Sequence, residues 1–290
     1  MIAAIILNYN SSQDCKECIA DLKQQSVPIR IIVVDNCSRE DDRNQLESFC
    51  QQTDCTFIQA DSNRGYNAGN NIGMRHAAKT GCDYILISNP DMRYPDVDFI
   101  SKLVSKADED PDIAAIGGNI SGLDGHPQSP MHRDGDWKSS FGWISDLLNT
   151  VFRRKRRQGF LDRPDQSHYC KKLMGSCLMI RKDYIESIGF FDEEVFLYCE
   201  EAILSRQIER DGKKMYYLND AKCVHAHKSS EKGDPGRRFK NWRHSRFYYI
   251  EKYSGDSRMG RTIAKASMSL YVMTFLAMHN INKAIKTIKH

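Results

Sequence analysis

No G-x-G-x-x-G follows the first apolar run of this 290-residue chain, and no G-x-x-x-x-G-K-[ST] occurs anywhere in it. Those absences remove the simplest dinucleotide-fold and P-loop readings. No stretch reaches about 18 uninterrupted apolar residues, so no membrane-spanning helix is expected. The opening Met-Ile-Ala-Ala-Ile-Ile-Leu-Asn has neither a basic n-region nor a small-residue cleavage site, which argues against a secretory leader. Ten cysteines are too sparse for a disulfide scaffold and suit a reducing, cytoplasmic setting. Internal repeats and Gly/Ser linkers are missing too. What is present is ordinary for a folded protein: 40% apolar and 28% charged residues, which exclude collagen-like, low-complexity and wholly disordered chains.

The net charge of +4 conceals an asymmetry. Residues 237–290 hold twelve Lys and Arg against two acids, a local +10, which leaves −6 on the first 236 residues. An acidic body therefore carries a basic tail.

Through residue 120, short β-branched runs alternate with helical patterns, the signature of a parallel sheet with crossover helices. Strands are expected at Ala3–Leu7, Arg30–Val34, Cys55–Ala60, Asp83–Ser88 and Ile113–Ile120. Helices are expected at Asp14–Gln25, Asp41–Gln51, Asn67–Lys79 and Val97–Ala107. From Ser121 to Tyr169 the pattern dissolves around the run Arg153–Arg157, which reads as a mobile loop. Order returns with a strand at Lys172–Ile180, a helix at Phe196–Arg210 and two strand pieces, Lys214–Leu218 and Ala221–His225. The expected division is a catalytic domain over 1–236 (a nucleotide-binding half, 1–120, and an acceptor half, 121–236) and a basic helical extension over 237–290.

In open parallel sheets, ligands bind beyond the carboxyl ends of the strands. Here those ends read Asn8-Tyr9-Asn10, Asp35-Asn36, Asp61-Ser62-Asn63-Arg64-Gly65 and Asn89-Pro90-Asp91. Helix capping accounts for any one of them, since Asn, Asp and Ser are favoured there; four in succession point to a site. Asp91, after a hydrophobic strand and a proline, offers the oxygen that a nucleotide-bound Mg²⁺ needs. Glu200-Glu201 at a helix start is either a dipole-stabilising pair or a general base. His225 and His227 share a strand face, but no second ligand pair completes a zinc site. Cys15-Lys16-Glu17-Cys18 has redox-motif spacing in a chain far too large for that fold.

Taken together, Ile6–Asn10, Val33–Ser38, Asn63–Gly73, Ser88–Asp91, Met174–Ile180, Gly189–Glu193, Phe196–Leu204, His225 with Ser230, and Ser245–Tyr249 resemble a bacterial inverting glycosyltransferase of family two with the GT-A fold, in the rhamnosyltransferase-like branch of surface polysaccharide synthesis. The resemblance spans residues 1 to about 255. It implies that Asn8, Tyr9 and Asp35 hold base and ribose, with Arg64 and the 63–71 loop beside base and phosphates. It further implies that Asn89 occupies the first position of the metal motif, that Asp91 and His225 serve a Mg²⁺ or Mn²⁺ ion, and that Arg246 closes over the diphosphate. Glu201 falls on the catalytic acid of the family's Glu-Asp motif. This chain departs there, reading Glu200-Glu201-Ala202-Ile203-Leu204 with Gln207 where Arg is expected, so the base stays open between Glu201 and Glu200.

The implied reaction moves a sugar, rhamnose among the candidates, from a UDP- or dTDP-sugar to a glycan or lipid-linked glycan. Residues 259–290 suit peripheral contact with the inner face of the plasma membrane, or packing on the body or in a homodimer. A different class remains beside it: nucleic-acid binding by the basic tail with Trp242, Phe247, Tyr248 and Tyr249. That reading leaves the carboxylates idle, so no nucleic acid is expected. A third is redox chemistry at Cys15 and Cys18.

Overall fold

In β1 (Ile2–Asn8) every residue is buried, so the strand must lie between two covered faces. Its alternate side chains separate accordingly: Ile2, Ala4 and Ile6 enter one apolar cluster, and Ala3, Ile5 and Leu7 enter the other. The computed structural model describes residues 1–135, 137–144, 161–226 and 235–288, which form two compact units. One comprises Met1–Arg133 with Gly159–Glu231, the other Asp134–Gln158 with Lys232–His290. Among the described residues, 134–135 and 137–144 thus group with the C-terminal helices; residues 145–160, including the basic run, lie outside the described residues.

The first unit is built on one nine-stranded sheet. β2 (Ile29–Asp35), β3 (Thr56–Gln59) and β4 (Tyr84–Ser88) join β1 in parallel, in the order β3-β2-β1-β4. Beyond β4 lie β8 (Cys177–Arg181), β6 (Ile113–Gly122), β9 (Lys214–His225) and β5 (Met92–Arg93), with β7 (His168–Cys170) also on β9. The β4–β8 and β6–β8 pairs are antiparallel, and β6–β9 is parallel. One face is covered by α1 (Ser12–Leu22), α2 (Glu40–Gln52) and α4 (Phe99–Asp108). The other is covered by α3 (Tyr66–Ala78), α5 (Lys182–Ser187) and α6 (Glu200–Arg210).

Several expectations shift in this half. Lys172–Ile180 forms a strand only from Cys177, because 177–181 alone finds antiparallel partners in β4 and β6. Phe196–Arg210 becomes helical only at Glu200, since Tyr198 and Cys199 are left-handed (φ 75° and 69°) and interrupt the helix. The two expected strand pieces fuse into β9, whose register slips opposite Gly118 and Asn119.

In the second unit a 3₁₀ turn, Trp137–Phe141, accompanies α7 (Pro235–Lys252) and α8 (Arg258–Ile288). Trp143 packs on Tyr271, and Phe239 on Phe275 with ring centres 4.1 Å apart. No helix among the described residues is long and apolar enough to cross a membrane.

Candidate active site

The donor-side residues are locked to one another. Asn8 is fully buried; its amide nitrogen donates to Asp35 Oδ1 (2.9 Å), Ser38 Oγ (3.1 Å) and Asp42 Oδ2 (2.9 Å). Its oxygen accepts from the Ser11 backbone (3.1 Å). Asp35, equally buried, takes the Ser38 backbone N–H on its second oxygen. Burial alone would raise the Asp42 pKa, but bonds from Asn8 and Ser12 outweigh it and hold the group below its ordinary value. Asn8 and Asp35 therefore form a scaffold that fixes the loops after β1 and β2. Tyr9, 53% exposed, is the member of this group that faces solvent.

The Asn63–Gly73 motif also has a placement that sequence reasoning missed. Asn67 Nδ2 donates to the Asp192 carbonyl (2.7 Å). Asn71 brackets Phe191 from both sides, donating to its carbonyl (2.8 Å) and accepting from its N–H (3.0 Å). Glu193 Oε1 takes bonds from Asn71 (2.8 Å) and Arg75 (2.9 Å), and Arg64 reaches Oε2 at 3.0 Å while staying 68% exposed. The Tyr66 N–H donates to the Phe196 carbonyl (2.8 Å). Directly before it, Gly65 has φ 102°, and a Cβ there would sit 2.3 Å from that same carbonyl oxygen. Only glycine fits so close an approach at positive φ. Asn67 and Asn71 thus bind the turn that leads into α6, whereas Asn63 stays with the loop before α3, accepting from the Gly65 N–H (3.0 Å).

At the carboxyl end of β4, Asp91 Oδ2 lies 3.2 Å from His225 Nε2, both side chains largely shielded. Antiparallel pairing of Met92 with His225 brings them together. Gln128 Oε1 lies 2.8 Å from the other ring nitrogen and orients the imidazole. Arg93 donates to the Pro90 (3.1 Å) and Met92 (2.9 Å) carbonyls and is itself held by Asp14 and Glu17, so the backbone on both sides of Asp91 is fixed. Gln128 and Arg93 carried no sequence signal: one lies far from His225 along the chain, the other resembles any surface arginine. Among the described residues no group of three or more His, Cys, Asp or Glu is gathered to hold a metal unaided. One carboxylate and one imidazole suit a divalent ion that completes its shell on a ligand's phosphate oxygens. His227 and Ser230 lie outside the described residues.

The Asn89 N–H donates to the Ser176 carbonyl (2.8 Å), and the neighbouring Gly175 N–H reaches Glu201 Oε1 at 3.3 Å. The Asp91 loop is thereby tied to the carboxylates of α6 through two adjacent residues. The Tyr66 hydroxyl donates to the Gly175 carbonyl (2.9 Å). Burial, then the nearby Glu200 and Glu201 charges, push its pKa well up. Among the described residues, Glu200 Oε2 and Ser176 Oγ are buried without a hydrogen-bond partner. Burial first, and the Glu201 charge second, push the Glu200 carboxyl up to about 8. A helix N-terminus favours an acid's charge by only about 0.3–1 kcal/mol, too little to reverse this. Glu200 therefore holds its proton more tightly than an ordinary carboxyl does. The left-handed Tyr198 and Cys199 that present the pair cost roughly 1–2 kcal/mol each.

Arg246 lies in the second unit, 2.8 Å from Asp134. Two of the four aromatics expected to stack on nucleic acid are engaged internally: Tyr249 is 1% exposed beneath Arg246, and Trp242 packs on Phe239 and Tyr271. Cys15 and Cys18 are fully buried. Burial raises both thiols, that of Cys18 to about 12, the reverse of a reactive thiolate.

The family model described as Glycosyl transferase family 2 matches residues 3–189. The low-salt glycan biosynthesis hexosyltransferase Agl10 of Haloferax volcanii is 29% identical over 73% of this chain and 62% of its own length, so the match spans less than two thirds of that relative. The N-acetylglucosaminyl-diphospho-decaprenol L-rhamnosyltransferase of Mycobacterium tuberculosis is 24% identical over 88% of this chain and 86% of its own. Among solved structures, the mannosyltransferase PcManGT from Pyrobaculum calidifontis, in complex with GDP-Man and Mn²⁺, matches with a TM-score of 0.59 at 14% identity, covering 100% of this chain and 80% of that one. That likeness is one of fold.

Proposed function

Because the chain belongs to glycosyl transferase family 2 and has the GT-A fold, we propose that it transfers a hexose or deoxyhexose, rhamnose first among them, from a UDP- or dTDP-sugar to a glycan or lipid-linked glycan with inversion. The setting is cell-surface polysaccharide synthesis, on the cytoplasmic side, with residues 259–290 in peripheral contact with the membrane. The observation that carries this reading is the union, at one sheet edge, of the Asp91–His225 pair with the Glu200–Glu201 pair through Ser176 and Gly175.

In the proposed site Asp91 and His225 would hold Mg²⁺ or Mn²⁺, which would supply positive charge to offset that of a departing nucleoside diphosphate. Tyr9 and Arg64, the exposed members of the donor edge, contact the nucleotide, while Asn8 and Asp35 keep their loops in place. Glu201 removes the proton from the acceptor hydroxyl as its oxygen attacks the anomeric carbon in line. Glu200, protonated, leaves Glu201 the only anion of the two.

A panel of UDP-, dTDP- and GDP-sugars, each with Mn²⁺, Mg²⁺ or chelator, tests this by thermal shift and donor hydrolysis. We expect one nucleotide sugar to stabilise the protein with metal only, and Asp91→Ala to remove that shift and lower turnover by roughly 10²–10³. No response to any donor, or an unchanged Asp91→Ala protein, would refute the proposal.

A further inference from the structure

We infer that the second unit binds the surface of an anionic phospholipid bilayer, with a groove along α7 taking the lipid phosphate. The inference rests on, and deepens, the peripheral contact proposed for residues 259–290. The groove, about 420 Å³, has Phe239, Phe247 and Val272 on its apolar wall and Lys240, Arg243 and His244 on its rim. All three rim residues are exposed, and none is in an ion pair among the described residues. Three other cations of the same unit are matched: Arg246 with Asp134, and Arg261 and Lys265 with Glu251. Lys240 and Arg243, like charges three residues apart, disfavour their helix. Here they border an apolar wall, and the Arg243 guanidinium is steadied 4.8 Å over the Phe247 ring. An occupant that satisfies both features has an anionic head and an apolar body.

α8 supplies a second observation. Met259, Thr262, Ala266, Leu270 and Met273 are all exposed at spacings of three and four, which makes one uncharged stripe roughly 20 Å long. The opposite face, through Gly260, Ala264, Ser267 and Met268, is buried within the unit. No helix among the described residues is long and apolar enough to cross a membrane. An apolar stripe on such a helix, beside unmatched cations, is suited to lying in the headgroup layer of an acidic bilayer.

The test is co-sedimentation of the full chain with vesicles of phosphatidylcholine alone or mixed with phosphatidylglycerol. Wild type should favour the mixed vesicles. Each cation near an anionic surface is worth about fivefold in binding, so Lys240→Gln with Arg243→Gln should weaken that preference by roughly 25-fold, with unchanged circular dichroism and soluble-donor binding. Leu270→Ser with Met273→Ser should weaken binding to both vesicle types. If only the stripe variant loses binding, the groove assignment fails and the peripheral contact stands; if neither does, both fail. Displacement from vesicles by millimolar inorganic phosphate would make the groove a soluble-phosphate site, and a dimer that Met273→Ser dissociates would make the stripe a contact between copies. Either result overturns the proposal.

Discussion

Replacing Glu200 by Gln should make the protein more stable in alkaline solution while leaving it nearly unchanged in mild acid. In the folded chain Glu200 keeps its proton up to about 8, against an ordinary value of 4.5, because the carboxyl is buried and Glu201 is beside it. The folded state thus binds this proton more tightly than the unfolded chain, so the group's contribution is complete below about 4.5 and is lost as pH rises through about 8. Each tenfold in proton affinity is worth about 1.4 kcal/mol, which sets a ceiling of roughly 4–5 kcal/mol. The side chain is not wholly shut off from solvent, and we expect about half of that. Gln has no proton to lose, so urea unfolding at pH 4 should give near-equal stabilities, and at pH 9 the variant should lead by ~2 kcal/mol. The same gap at both pH values would refute the assignment of a tightly held proton to Glu200. Turnover gives an independent check: Glu200→Gln should retain most of it at pH 7, whereas Glu201→Gln should abolish it.

Two further substitutions probe the scaffold. Asn71→Ala leaves the buried Phe191 N–H and carbonyl without their partner and takes one of two donors from Glu193 Oε1, and should cost roughly 2–3 kcal/mol in denaturant titration; a loss below 1 kcal/mol would make the clamp unimportant. Gly65→Ala places a Cβ against the Phe196 carbonyl at positive φ and should lower kcat more than donor affinity, since the displaced turn leads to Glu200 and Glu201. Equal losses in both would contradict that split.

The parallel half of the fold was legible because β1, β2 and β4 are long apolar runs separated by amphipathic helices. The later half was not: β5 has two residues and β7 three, too short for any period to register, and 172–176 is irregular although its composition matches the strand that follows. The candidate site residues were expected as a set through the family resemblance, which named Asp91, His225 and Glu201; β-pairing and the Gly175 link bring them to one edge. What stayed hidden was the division of labour within motifs. Asn8 and Asp35 look like ligand contacts at a strand end, yet their polar atoms are consumed internally; an asparagine that binds a nucleotide and one that binds a loop are identical in sequence.

The asparagine clamp also bears on how this enzyme can be recombined with relatives. α3 belongs by sequence to the nucleotide half, yet Asn67 and Asn71 hold a turn, 191–193, that lies beyond residue 120. A chimera jointed between the halves would graft one parent's helix onto the other parent's turn. The exchangeable cassette for altering acceptor choice is therefore discontinuous: residues 63–75 must travel with 189–204, or the transplanted carboxylates will arrive without the element that aims them.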